Sequence, residues 1–180
     1  NLKDKKEKLW NDLRKSYKGI INLAKKEVRQ IKYDYKNISW DVMNDFKKLH
    51  YQEAGKETRT EKNWKIQLDM IKSKKAFLFT SYLNDILLGA AFFIYTKNDC
   101  YYASSAYNKN SSFKSVGHSI IWNAILEAKK LGCKRLETGD QFYFNFSNNY
   151  NSDSKNIKLS HFKSGFGGKT KTFLNLNLTK

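Results

Sequence analysis

Three apolar, aromatic runs of strand length stand almost end to end in the middle of the chain: AFLFTSYL (76–83), ILLGAAFFIY (86–95) and CYYASSAY (100–107). Asn84-Asp85 separates the first two, and Lys97-Asn98-Asp99 precedes the third. Connections this short join consecutive strands only as antiparallel hairpins. The expectation is a three-strand meander. The middle run is apolar at successive positions, so both of its faces must be buried.

The flanking sequence supplies the covers. Leu9, Trp10, Leu13, Tyr17, Ile20, Ile21 and Ala24 recur at three- and four-residue steps, which predicts a helix over 3–27. Residues 29–35 alternate as a strand does. Ser39 and Thr60 are N-cap residues for helices over 40–54 and to about 73, with Trp40, Met43, Phe46, Leu49, Trp64, Leu68 and Ile71 facing inward. Ser115 precedes a helix over 116–131 with Val116, Ile120, Ile121, Ala124, Ile125, Ala128 and Leu131 as its apolar stripe, and Gly132 ends it. CKRLETG (133–139) follows as a short strand. A strand, a crossover helix and a second strand favour parallel pairing. Residues 145–156 read as a loop, 156–164 as a short helix and 170–178 as a closing strand. The fold class is α/β, built on a mixed sheet.

The chain is 180 residues long, enough for one domain with a real core. No apolar run approaches the roughly 20 residues that cross a bilayer. Two cysteines far apart build no disulfide framework, and no secretory signal is visible, so a reducing cytoplasm is the expected compartment. The chain starts at Asn1 rather than Met, which leaves room for sequence upstream. The net charge is +17. That is a footprint for a polyanion, or else composition alone: only Arg14, Arg29, Arg59 and Arg135 are arginines, in a chain rich in Lys, Asn and Ile that lacks proline. A surface shaped for phosphate favours arginine's planar fork.

There is no Walker loop, dinucleotide-binding glycine fingerprint or GxSxG nucleophile motif. His50, His118 and His161 have no metal-ligand spacing. SHFKSGFGGK (160–169) is unusual, with a lysine between aromatics and three glycines in four positions. It reads either as a tight corner or as a place where backbone and a cation approach a ligand. Lys163 would steady an oxyanion or phosphate, or be one exposed lysine among many. Phe162 and Phe166 would stack on a base, or anchor the core. Ser111, Ser112, Lys114 and Ser115 before helix 116–131 suit phosphate binding or ordinary capping. Glu137, with Asp140 and Gln141 beyond it, lies at a strand end, where α/β sites collect acids and bases. Otherwise Glu137 pairs with Arg135. Tyr101, Tyr102 and Tyr107 offer hydroxyls near that edge.

The element order resembles the GNAT acyltransferase fold, in which the meander and the following helix frame a V-shaped opening in the sheet. Three stretches resemble the FemABX type within that superfamily, the enzymes that add amino acids to cell-wall precursors. LWNDLRKSYKGIINLAKK (9–26) is similar to that family's Trp-x-x-x-Arg-Lys-Ser helix. GCKRLETGDQFY (132–143) is similar to its strand end, with Glu137 where Asp is commoner. SHFKSGFGG (160–168) is similar to its Phe-Lys-x-x-Phe-Gly-Gly signature. The resemblance implies an acyl or aminoacyl transferase acting on an amine of a cell-wall or surface-glycan precursor. Lys163 and Glu137 would be catalytic. Phe162, Tyr107, Asp140, Gln141, Gly167, Gly168, Arg59 and His50 would bind substrate. It implies no permanently bound cofactor. The donor would be aminoacyl-tRNA or acyl-CoA, and the usual acetyl-CoA pyrophosphate loop is absent. Residues 1–28 would be an arm linking to or packing on a domain at 29–180, itself the C-terminal half of a longer two-domain protein. Two other readings are a CoA-dependent N-acetyltransferase on an amino sugar and a basic, non-catalytic nucleic-acid-binding domain.

Overall fold

A computed structural model describes residues 1–111, 113, 115–142 and 154–172. The arm at the start of the chain is two helices, α1 (Lys6–Asn11) and α2 (Lys15–Glu27), not the single helix expected over 3–27. A tertiary bond breaks it. The Arg14 N–H donates to the Gly165 carbonyl at 2.9 Å instead of continuing the helical ladder. Strand β1 (Arg29–Tyr33) follows, then α3 (Trp40–Ala54) and α4 (Glu61–Lys72). Ser39 caps α3 through its side chain, accepting from the Val42 N–H. Met43, Phe46, Leu49, Trp64, Leu68 and Ile71 are all buried, as their spacing predicts, whereas Trp40, at the first position of α3, stays partly exposed at the rim of that cluster with Lys47 and Lys65 over its ring.

The meander is β2 (Ala76–Leu83), β3 (Ile86–Tyr95) and β4 (Asp99–Tyr107). Asn84 and Asp85 both take positive φ, the conformation of the tightest hairpin turns. Helix α5 (Val116–Lys130) crosses over to β5 (Arg135–Glu137), and α6 (Ser154–Ser164) closes the described elements. The strand order is β1-β2-β3-β4-β5, antiparallel except for the parallel β4–β5 pair. The expected strand at 170–178 lies outside the described residues from 173 onward, as does most of the expected loop at 145–156. Residues 170–172 are not in a strand.

Helices cover both faces of the sheet, as the apolar middle strand requires. On one face Phe77, Phe79, Ala91, Phe93 and Cys100 pack with α2 and α5. On the other, Leu78, Ala90, Phe92 and Ala106 pack with α3 and α4. Two expectations for α5 need correction. Leu131 is 39% exposed instead of completing the stripe. Trp122, off that stripe, is buried because the arm covers the outer side of the helix, with Trp10 edge-on to it at 5.0 Å. Ser115 occupies the N-cap position of α5 without a side-chain cap bond.

Candidate active site

The parallel pairing of β4 with β5 spans only Asp99–Tyr101 and Arg135–Glu137. Gly139 then takes φ +81 and turns the chain away, so the two strands part there. Just past the last paired residue, β4 carries a bulge. Its register slips between Phe92 and Phe93, whose partners are Ser104 and Tyr102, so Ala103 is an extra residue. Ser104 Oγ is buried at this bulge without a hydrogen-bond partner among the described residues. Beside it Tyr102 donates to Ser105 Oγ at 2.5 Å and shares a 2.9 Å hydroxyl contact with Tyr107.

Lys163 comes to this parting from α6. Its Nζ donates to the Asp140 carbonyl at 3.4 Å. A side chain at Gly139 would meet that amine, since its Cβ would lie 3.3 Å from Lys163 Nζ and 3.7 Å from the Tyr101 hydroxyl. Burial lowers the Lys163 pKa from the ordinary lysine value, and the Asp140 charge opposes the shift. A cation is thus held, half-buried and lightly solvated, where β5 ends.

The glycines of the 160–168 stretch have separate reasons. Gly165 lies directly under the Tyr17 ring, where a Cβ would come within 2.3 Å of Cε2. Gly167 takes φ +75 and packs against Asp12, where an added Cβ would come within 2.7 Å of the Asp12 carbonyl oxygen. Gly168 is exposed with nothing near it.

The other sequence candidates scatter. Phe162 joins Tyr17, His118 and Phe166 in an edge-on aromatic cluster, with ring centroids 4.3 Å apart for Tyr17–His118 and 4.9 Å for His118–Phe162. This is packing, the anchor reading of Phe162 and Phe166. Asp140 contributes its carbonyl to Lys163, and Gln141 lies half-buried just beyond. Glu137 pairs in register with Tyr101 and is exposed. Arg135 bonds Asp99 at 2.6 Å, so the expected Arg135–Glu137 pair is not formed. The Tyr107 ring is wedged between Gly89 and Gly117, and burial raises its hydroxyl pKa well above the ordinary value. Ser112 and Lys114 lie outside the described residues. Ser111 Oγ accepts from the Phe113 N–H at 3.0 Å.

His50 and Arg59 lie on the opposite face, at the α3–α4 connection. Arg59 stacks on Trp64, 5.2 Å from the ring centroid, and Tyr51 OH donates to the Arg59 carbonyl at 2.6 Å. Arg59 Nη1 is buried with no hydrogen-bond partner among the described residues. Burial lowers the Arg59 and His50 pKa values, and the nearby Arg59 charge adds to the effect on His50. One helical turn on, Glu53 accepts from the Tyr107 N–H at 3.1 Å, which ties this connection to the open end of β4.

The sequence offers Tyr17 only as part of a helix stripe and gives Arg14, Ser104 and His118 no place in a site. The Trp-x-x-x-Arg-Lys-Ser stretch was the one signal for the first two. Ser104 lies in an ordinary small-residue run and has no sequence signal.

A mixed sheet with a meander, a crossover helix and a parting between the fourth and fifth strands is the GNAT acyltransferase fold. Solved structures agree. The chain is similar to FemX, with 15% identity and a TM-score of 0.69, over 92% of this chain and 56% of that one. It is also similar to the aminoglycoside acetyltransferase meta-AAC0020 from an uncultured soil metagenomic sample, solved with trehalose, at 9% identity and TM-score 0.60, over 85% and 96% of the two chains. The aminoglycoside N-acetyltransferase AAC(6')-Iy in complex with CoA matches at 8% identity and TM-score 0.60, over 86% and 95%. No protein-family model and no curated protein sequence matches the chain. Among the described residues no helix is long and apolar enough to cross a membrane.

Proposed function

We propose that this chain carries the acyl-transfer centre of a FemAB-like transferase that passes an acyl or aminoacyl group to an amine of a cell-wall or surface-glycan precursor. The observation that carries the proposal is the half-buried Lys163 amine at the parting of β4 and β5, on the motif similar to the FemABX signature. The likeness to FemX supports the same reading; the chain spans 56% of the FemX chain, so an upstream domain belongs to the proposal.

The acceptor amine attacks the carbonyl carbon of the donor ester, and the carbonyl oxygen becomes an oxyanion. Lys163 stabilises that charge. The intermediate collapses to an amide, and the leaving oxygen takes the proton released by the amine. The protein contributes positioning and one fixed cation, a donor typically worth about 3 kcal/mol. Arg59, with an unpaired Nη1 and no ion pair among the described residues, would hold an anionic group of the acceptor, with His50 beside it. Glu137, exposed at the end of β5, would take the one proton that the attacking amine releases and hand it to the leaving oxygen. Aminoacyl-tRNA is the donor in this reading.

One observation favours a second reading, a CoA-dependent N-acetyltransferase on an amino sugar: the acetyltransferases of like fold are matched over nearly their whole length. The test is binding to aminoacylated and deacylated tRNA over a salt series, with acetyl-CoA titrated in parallel. Preference for the charged tRNA, with Lys163→Ala lowering turnover about 10²-fold, supports the first reading. A response to acetyl-CoA alone supports the second. Equal binding to both tRNAs that collapses with salt leaves only a basic nucleic-acid-binding surface.

A further inference from the structure

Lys163 stands near the end of α6, where the last carbonyls of a helix have no intrahelical donor. The start of α2 supplies donors. Arg14 Nη2 donates to the His161 carbonyl at 3.1 Å and to Ser164 Oγ at 3.2 Å. Arg14 Nη1 meets His161 Nε2 at 2.8 Å, and an arginine only donates, so that nitrogen presents its lone pair. Tyr17 OH donates to the Phe162 carbonyl at 3.0 Å, while the Arg14 N–H holds the Gly165 carbonyl. These acceptors lie on the two residues before Lys163 and the two after it. The chain has 34 basic residues, of which four are arginines, yet it places an arginine here. Several acceptors in different directions need a planar fork, which an ammonium does not provide.

We propose that Arg14 and Tyr17 are positioning residues for Lys163, so that the N-terminal arm is part of the acyl-transfer centre. This rests on the reading of Lys163 given above. The arm grips the backbone of α6 on one side. Gly139 and the Asp140 carbonyl bound the amine on the other, where the Asp140 charge acts on it and the Tyr101 hydroxyl faces Gly139. A displacement of about 1 Å at a reacting centre costs on the order of 10²-fold in rate. Loss of the grip therefore lowers kcat by about that factor and leaves KM unchanged.

The test reads Lys163 directly. Trace acetylation with acetic anhydride across pH, followed by mass spectrometry of the Lys163 peptide, gives the titration curve of that amine. Arg14→Lys keeps the charge and loses the fork; Tyr17→Phe keeps the ring over Gly165 and loses the hydroxyl's two hydrogen bonds, the one it donates to the Phe162 carbonyl and the one it accepts from Arg14 Nη1. Both are expected to move the Lys163 curve up toward ordinary lysine, because the released amine gains water. Lys15→Ala, at an exposed neighbour, leaves it in place. Folded Arg14→Lys and Tyr17→Phe proteins with the wild-type Lys163 curve overturn the proposal. If Arg14→Ala does not fold, these two variants still decide. A wild-type protein without transfer activity whose Lys163 curve shifts in the variants supports the positioning and removes only the catalytic reading.

Discussion

Gly165→Ala is the sharpest test of how the ends of the chain meet. An added Cβ would lie 2.3 Å from Tyr17 Cε2, 2.5 Å from Cζ and 2.8 Å from the hydroxyl. The ring has little room to retreat. It is buried, it meets His118 at 4.3 Å and Phe166 at 5.2 Å, and its hydroxyl is tied to the Phe162 carbonyl. Overpacking a well-filled site costs about 1–3 kcal/mol. Displacing the ring also breaks a hydrogen bond worth about 1 kcal/mol. Together these give about 3 kcal/mol, or a Tm lower by about 6–12 °C at this chain length. Gly168→Ala is the control. Its Cβ meets nothing within 4 Å, so the change stays within about 0.5 kcal/mol. Urea and thermal unfolding of the two variants against wild type provide the measurement. A Gly165→Ala protein as stable as Gly168→Ala would show that Tyr17 does not sit on Gly165, and the docking of α2 on the 160–168 stretch would fall with it.

Other outcomes follow from the same structure. His50 and His118 have folded-state pKa values below the ordinary histidine value, chiefly through burial. The unfolded chain therefore binds more protons below about pH 6.5, and stability falls as pH drops from 7 to 5. Thermal melts across that range, with His118→Gln showing a shallower fall than wild type, check the sign; a flat profile in wild type refutes it. Cys100 and Cys133 are buried, and burial pushes the Cys100 thiol up to about 12. A disulfide reagent at pH 8 should find no fast-reacting thiol in the native protein and two after denaturation. Gly19 lies within α2 with open space around it, so Gly19→Ala should raise stability by about 1 kcal/mol in urea unfolding.

Much of the fold was legible because its cause is local. The runs at 76–83 and 86–95 and the dipeptide Asn84-Asp85 between them imply a hairpin, since a two-residue connection allows nothing else. The spacing of Met43, Phe46 and Leu49, or of Trp64, Leu68 and Ile71, marks the inward side of a helix whatever lies beyond it. Lys163 stood out for the same reason, as an odd residue in an odd local setting. The errors came where distant segments decide. The helix expected over 3–27 breaks at Arg14 because Gly165 takes its N–H. Trp122 is buried because the arm covers α5 from outside. Glu137 stays exposed while Arg135 turns to Asp99 on the neighbouring strand.

By itself the sequence determined the elements, the antiparallel meander and the parallel return, because periodicity and connection length act over a few residues. Only the tertiary structure decided which residues surround Lys163. Arg14 and Tyr17 hold its helix from the far end of the chain, Gly139 gives its amine room, and Ser104, at the bulge, has no hydrogen-bond partner among the described residues. These depend on how segments meet in space, and long-range contacts leave no period in the sequence.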